Sequence, residues 1–260
     1  MSPEDRVFVE VWNRLTSDWS RLTTFLQMGV LGEDAAREAI HRSNNYFVQQ
    51  QLFHGELQHL LKDRAGFIAT GMADRMPHEM TEASVRSFRH TLHAATLVFA
   101  HAILDAAVFD CLRICASASP EDWRPSLAGK KVSLSEVASK PSGVLLEEAI
   151  AAELKRLERE SLLAKVDKTF QLCKPTKQEF LTNGFRFDRE RLSTLDDLRH
   201  RVVHDPGTSA SFDTIYEDLQ FMQSSGLHLF SMVGDRFNLC FSGTEAVQAL
   251  AARQHAPSES

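Results

Sequence analysis

The chain is poor in the residues that build disulfide and metal frameworks. Its 260 residues include four cysteines, Cys111, Cys115, Cys173 and Cys240, and no Cys-x-x-Cys pair. A structural zinc site of that kind therefore has no support. Four cysteines in a chain this long do not make a disulfide scaffold either. Cys111 and Cys115, four residues apart, suit small buried positions on a helix better than a bridge. Glycine and proline are also sparse, 12 and 8 residues, while 43% of the chain is hydrophobic. That composition excludes collagen, low-complexity chains and wholesale disorder. An excess of positive charge is missing too. The 29 basic and 35 acidic residues sum to −6, whereas proteins that coat nucleic acid non-specifically are usually basic. A confined basic site remains compatible with this balance.

No long apolar run is present. The longest, Ala94 to Phe109, contains His101 and Asp105 and falls short of the roughly 20 residues of a spanning helix. It reads as a buried core helix, and no membrane partner is expected. Met1-Ser2-Pro3-Glu4-Asp5 lacks the basic start and apolar run of a signal peptide. A soluble, reduced, cytoplasmic protein is the expectation. There is no glycine-rich phosphate loop, no Gly-x-Ser-x-Gly and no Cys/His nucleophile arrangement.

The dominant pattern is helical. Val7, Val11, Leu15, Leu22, Phe25 and Leu26 fall near i, i+4 and i+7 spacing. A turn at Gly29–Gly32 precedes a second segment running to about Arg64. Residues 66–77 read as a connection, and a long central segment runs from Thr81 to Cys115. Residues 117–142 read as a loop with a short helix at Leu134–Ala138. Residues 143–172 predict one strong helix. Asn183-Gly184 marks a turn. Ser193 with Asp196 resembles a capping box that opens a short helix, and Asp205-Pro206-Gly207 stops it. A further helix is expected over residues 211–232, a short strand at Phe237–Phe241 and a helix at Gly243–Arg253. The fold class is all-α. An N-terminal helical region covers residues 1–80, a helical bundle 81–232, and an extension with a polar tail 233–260.

Charge is unevenly spread. Residues 153–201 hold 12 Lys/Arg against 9 Asp/Glu, a local +3 in an acidic chain. This stretch includes Leu195-Asp196-Asp197-Leu198-Arg199-His200-Arg201-Val202-Val203-His204. On a helix, Leu195, Leu198 and Val202 form one apolar stripe. His204 lies about 180° and His200 about 140° from Leu195, with Arg199 only about 40° from it. The helix would bury one side and present two histidines on the other.

Arg199, the polar His200, three spacers and His204 resemble the signature of the HEPN superfamily, an arginine, a polar residue, two to four spacers and a histidine. Two β-branched residues before His204, a Pro-Gly stop after it, two long helices ahead and one behind match the family's bundle over about residues 84–232. The first 80 residues lie outside the resemblance, as additional helices. Arg86 and His93 also meet a looser form of the spacing but lack this context.

The resemblance implies a homodimer whose motif helices build one composite site. It implies metal-independent RNA cleavage through the ribose 2′-hydroxyl, with no cofactor, in a toxin or anti-phage defence factor that has an antitoxin or regulatory protein as partner. His204 would act as general base or acid, Arg199 as phosphate clamp, His200 as orienting group and Arg201 as a backbone contact. Asp105 or His101 would support Arg199 from an earlier helix; Asp105 pairing with His101, four residues away, is the simpler reading. Some members of the superfamily have lost catalysis, so a silent nucleotide- or protein-binding module is the alternative. A helical-bundle metalloprotein built on His200-x-x-x-His204 is another. That spacing lacks the glutamate of His-Glu-x-x-His, and its further ligands would come from Asp205, His90, His93 or His101.

Overall fold

In the computed structural model, residues 3–54, 71–129, 133–174, 187–205 and 214–239 are described. They form helices α1 (Pro3–Leu31), α2 (Glu33–His54), α3 (Met72–Ala118), α4 (Arg124–Leu127), α5 (Leu134–Ser139), α6 (Ser142–Leu157), α7 (Leu162–Cys173), α8 (Arg189–His204) and α9 (Ile215–Phe237), with a 3₁₀ turn at Pro120–Trp123. No strand occurs among these residues, and the chain is all-α.

Several boundaries differ from the sequence reading, each for a local reason. The α1–α2 turn narrows to Gly32, and the expected continuation of α2 beyond His54 lies outside the described residues. The connection ends at Gly71 rather than Pro77. Gly71 takes φ +70°, and its carbonyl accepts from the amides of Asp74 and Arg75. Pro77 then sits inside α3, near enough to its start that few hydrogen bonds are lost. The single helix expected over residues 143–172 is two. Ser161 adopts an extended backbone, and its Oγ accepts from the Ala164 amide at 3.2 Å. This hydroxyl cap opens α7. α8 begins four residues before Ser193, because Asp188 Oδ1 accepts from the Arg191 amide at 3.0 Å. α9 runs to Phe237, and Asn238 turns left-handed at φ +51°, so residues 237–239 are not a strand. The expected elements at Asn183-Gly184, Pro206-Gly207 and Gly243–Arg253 lie outside the described residues.

The chain divides into two compact units. The first comprises Met1–Ser20, Phe99–Leu198 and Glu217–Ser260, and the second Arg21–Val98 and Arg199–Tyr216. Residues 80 and 81, the expected boundary, are consecutive within α3.

In the first unit Phe8, Val11, Leu15 and Trp19 of α1 are buried. Their spacing of three and four residues marks one helix face. That face includes Phe8, and leaves Val7 48% exposed. Phe8 stacks on Phe230 with centroids 4.1 Å apart, and Trp12 lies 5.6 Å from the same ring. α9 approaches closely at Gly234, where a Cβ would stand 2.7 Å from Phe8 Cζ. On α3, Leu104, Val108, Cys111, Leu112 and Cys115 are buried, as is Cys173 of α7. Burial pushes the Cys111 thiol up. A hydrogen bond with Cys173, together with burial, does the same to Cys115. Buried thiols held in the protonated form are inert residues of a packed core.

In the second unit Leu22, Leu26, Val48, Val85 and Leu92 are buried. Phe25, off this face, is 43% exposed. Gly29 admits Leu92 at its back, where a Cβ would meet Leu92 Cδ2 at 2.7 Å. A polar seam crosses from α2 to α3. Glu33 accepts from Arg89 Nε at 2.6 Å and NH2 at 2.5 Å, and from Arg37 at 3.5 Å. The Arg89 hydrogen bonds, against the effect of burial, hold the Glu33 carboxyl below its ordinary value.

α3 is long and apolar enough to cross a membrane, but 56% of its most apolar window is buried within the fold. A core helix of a soluble protein has this character.

Candidate functional site at the end of α8

α8 is amphipathic along its length. Leu192 and Leu195 are buried, Leu198 and Val202 half-buried, and His200, Arg201, Val203 and His204 exposed. The apolar stripe thus faces inward and both histidines face out, as the helical period requires. The last turn places the His200 and His204 rings 4.5 Å apart, centroid to centroid, and inclined by 51°. Positions i and i+4 are neighbours on a helix surface, which is why these rings meet. α8 closes with the Asp205 amide donating to the Arg201 carbonyl at 2.7 Å.

Arg199 differs from its neighbours. It is half-buried, and its Nε is buried with no hydrogen-bond partner among the described residues. A guanidinium carries five donors in a planar fork, so this one retains a donor in a water-poor setting. Arg199, His200, Arg201 and His204 belong to the second unit and form no ion pair among the described residues. Four cationic or protonatable groups thus occupy six positions at a helix C-terminus, whose carbonyls favour positive charge.

The two residues expected to support Arg199 have other partners, both within the first unit. His101 Nε2 lies 2.6 Å from Asp196 Oδ1. Asp196 stands in α8, three residues before Arg199. Asp105 accepts from Lys165 Nζ at 2.8 Å on both carboxylate oxygens. The His101–Asp105 pair expected from their spacing does not form. Each group instead meets a partner from another helix. Lys165 is 4% exposed at its side chain, so Asp105 is the counter-ion of a buried ammonium. Lys165 takes its role without having been singled out in the sequence, and Asp196, expected there as half of a capping box, instead meets His101. One signal was available for Lys165: it falls on the apolar face of α7, beside the buried Leu162, Val166 and Thr169.

The other spacing match, Arg86 and His93, falls on one side of α3 but in different surroundings. His93 is buried while Arg86 is exposed on the same helix. No group of three or more His, Cys, Asp or Glu side chains is placed to hold a metal among the described residues.

No protein-family model, no curated protein and no solved structure matches this chain.

Proposed function

We propose that the chain is a metal-independent, HEPN-like endoribonuclease. Two copies bring their α8 ends together, and RNA is cut at that composite site. The observation that carries this reading is the last turn of α8, with His200 and His204 exposed and adjacent beside an Arg199 whose buried Nε is unpartnered.

The chemistry follows from these groups. His204 takes the proton of a ribose 2′-hydroxyl, and the oxygen attacks the neighbouring phosphorus. The bond from phosphorus to the 5′-oxygen breaks, leaving a 2′,3′-cyclic phosphate and a 5′-hydroxyl. The leaving oxygen takes its proton from the histidine of the second copy. Arg199 offers its fork to the phosphate oxygens and keeps its charge throughout. Fixed positive charge counts for more in a water-poor interface than in bulk. His200 orients the phosphate or His204, and Arg201 meets the RNA backbone. The setting is cytoplasmic, in a toxin or defence factor answered by an antitoxin or regulatory protein.

Purified chain is incubated with RNA in EDTA, and its mass is measured by light scattering. The expected result is cleavage by a species of about twice 29.3 kDa, abolished by Arg199→Ala and by His204→Ala. Both residues serve one transition state, so the double variant is no worse than either single one. Arg86→Ala and His93→Ala retain activity. The reading fails if the motif variants cut RNA like wild type, or if the protein is a strict monomer at micromolar concentration. A wild-type dimer that binds nucleotide and never cleaves identifies a silent binding module instead.

A further inference from the structure

The His200 and His204 pair has a second chemistry that the cleavage reading does not use. A tetrahedral transition metal sits about 2.0–2.1 Å from one nitrogen of each ligating imidazole, which sets two such rings about 5 Å apart by their centroids. The His200 and His204 rings are 4.5 Å apart on adjacent turns of one helix and exposed, close to that spacing and with room to adjust their side chains. A second histidine pair, His41 and His78, has centroids 6.4 Å apart in an edge-on arrangement. That pair is off by more than an ångström and brings its rings from two helices.

The charge around the pair is mixed. Arg201, on the same turn, opposes a cation, but its charge rides on a long exposed stem. The closing carbonyls of α8 present the negative end of the helix dipole. No third His, Cys, Asp or Glu is placed to complete a ligand set among the described residues. A metal held here keeps water in its remaining positions and exchanges with solvent.

We infer that His200 and His204 form a reversible two-histidine site for a divalent transition metal of the zinc class. Imidazole suits zinc, nickel and copper, whereas magnesium prefers oxygen ligands. Occupancy has a consequence that rests on the proposed cleavage. The metal takes the imidazole lone pair that His204 would use to accept the 2′-hydroxyl proton. Zinc is then an inhibitor of the site, not its cofactor.

The test titrates zinc chloride into the full chain by calorimetry, with magnesium chloride as control. Loss of a residue that only orients a metal ligand already costs about 10–100-fold in affinity. His200→Ala and His204→Ala are therefore each expected to weaken the tightest zinc site by at least about tenfold, with His78→Ala unchanged and magnesium without saturable binding. Both motif histidines are exposed, and circular dichroism of the variants checks that the fold persists. The inference is overturned if wild type shows no saturable zinc binding, if either motif variant binds zinc as wild type does, or if His78→Ala carries the loss. A parallel RNA assay separates the two ideas. Cleavage in EDTA that zinc suppresses and magnesium does not supports both. Saturable zinc binding by a protein that never cleaves RNA sinks the nuclease reading and leaves the metal site standing. Cleavage unaffected by saturating zinc sinks the inhibitory role.

Discussion

The core of the first unit and the end of α8 in the second handle charge in opposite ways. In the first, buried or half-buried ionisable groups meet counter-charges from other helices: Lys165 meets Asp105, His101 meets Asp196, and Asp218 meets Arg191. In the second, the end of α8 gathers Arg199, His200, Arg201 and His204 with no ion pair among the described residues. Burial explains the contrast. A charge removed from water is costly unless it is partnered, so Lys165 must have Asp105. An exposed histidine or arginine has water and needs no partner, so it is free for a ligand. Paired, buried charge marks structure, and unpaired charge at a surface marks a candidate site.

The largest expected effect breaks a buried pair. Asp105→Ala leaves the Lys165 ammonium uncompensated and is expected to cost about 3 kcal/mol in urea denaturation. Replacing both partners by apolar residues, Asp105→Leu with Lys165→Met, is expected to recover most of that loss. If the single variant costs no more than a surface substitution, the contrast between the units fails.

Close helix approaches come next, one from each unit. Gly234→Ala drives a Cβ against Phe8, and Gly29→Ala drives one against Leu92. Overpacking of this kind costs about 1–3 kcal/mol. Gly29→Ala is expected at the lower end, because the atoms it meets are the tip of a leucine that can rotate, whereas the Phe8 ring is stacked on Phe230. Thermal melts of the two variants rank them.

Acid separates the units by pH. Burial pushes the His228 imidazole of the first unit below its ordinary 6.5. The unfolded chain then binds the proton more readily, so stability falls as pH drops below about 6.5. Glu33 of the second unit has the opposite shift, below its ordinary 4.5. Its stabilisation is present above 4.5 and is lost as pH falls through the lower folded value. His228→Leu should flatten the stability profile just below about pH 6.5, and Glu33→Gln only below about 4.5. Denaturation midpoints across pH 3–8 check both, and a loss in the wrong window refutes the assignment.

The smallest effect is at the candidate site itself. His204→Ala and Arg201→Ala remove exposed side chains and are expected to change stability by less than about 1 kcal/mol. Arg199→Ala costs somewhat more, because its stem is half-buried. Motif variants as destabilised as Asp105→Ala would make the α8 end a structural element.

Much of the fold is legible in the sequence, because helical period is a local signal. The outward direction of His200 and His204 follows from their angle to Leu195, and the buried cysteines follow from their place in the central run. Other features turn on single caps and packing. Ser161 splits an otherwise continuous helical pattern by accepting one amide hydrogen bond. Asp188 starts α8 a full turn before Ser193. Phe8 rather than Val7 enters the core because its spacing to Val11 and Leu15 suits the face that meets Phe230. These are choices between adjacent positions that a periodic count leaves nearly equal.

By itself the sequence determined the all-helical class, the amphipathic character of α8 and the presence of an arginine–histidine cluster on its polar face. Each depends on residues within a few turns of one another. Only the tertiary structure decided the partners of the buried charges. His101 and Asp105 stand four residues apart and invite pairing, yet Asp196 and Lys165, 95 and 60 residues away in sequence, take them instead. Local spacing sets which groups can meet along one helix. Packing between helices sets which ones lose water, and a group that loses water must take whatever counter-charge the neighbouring helix brings.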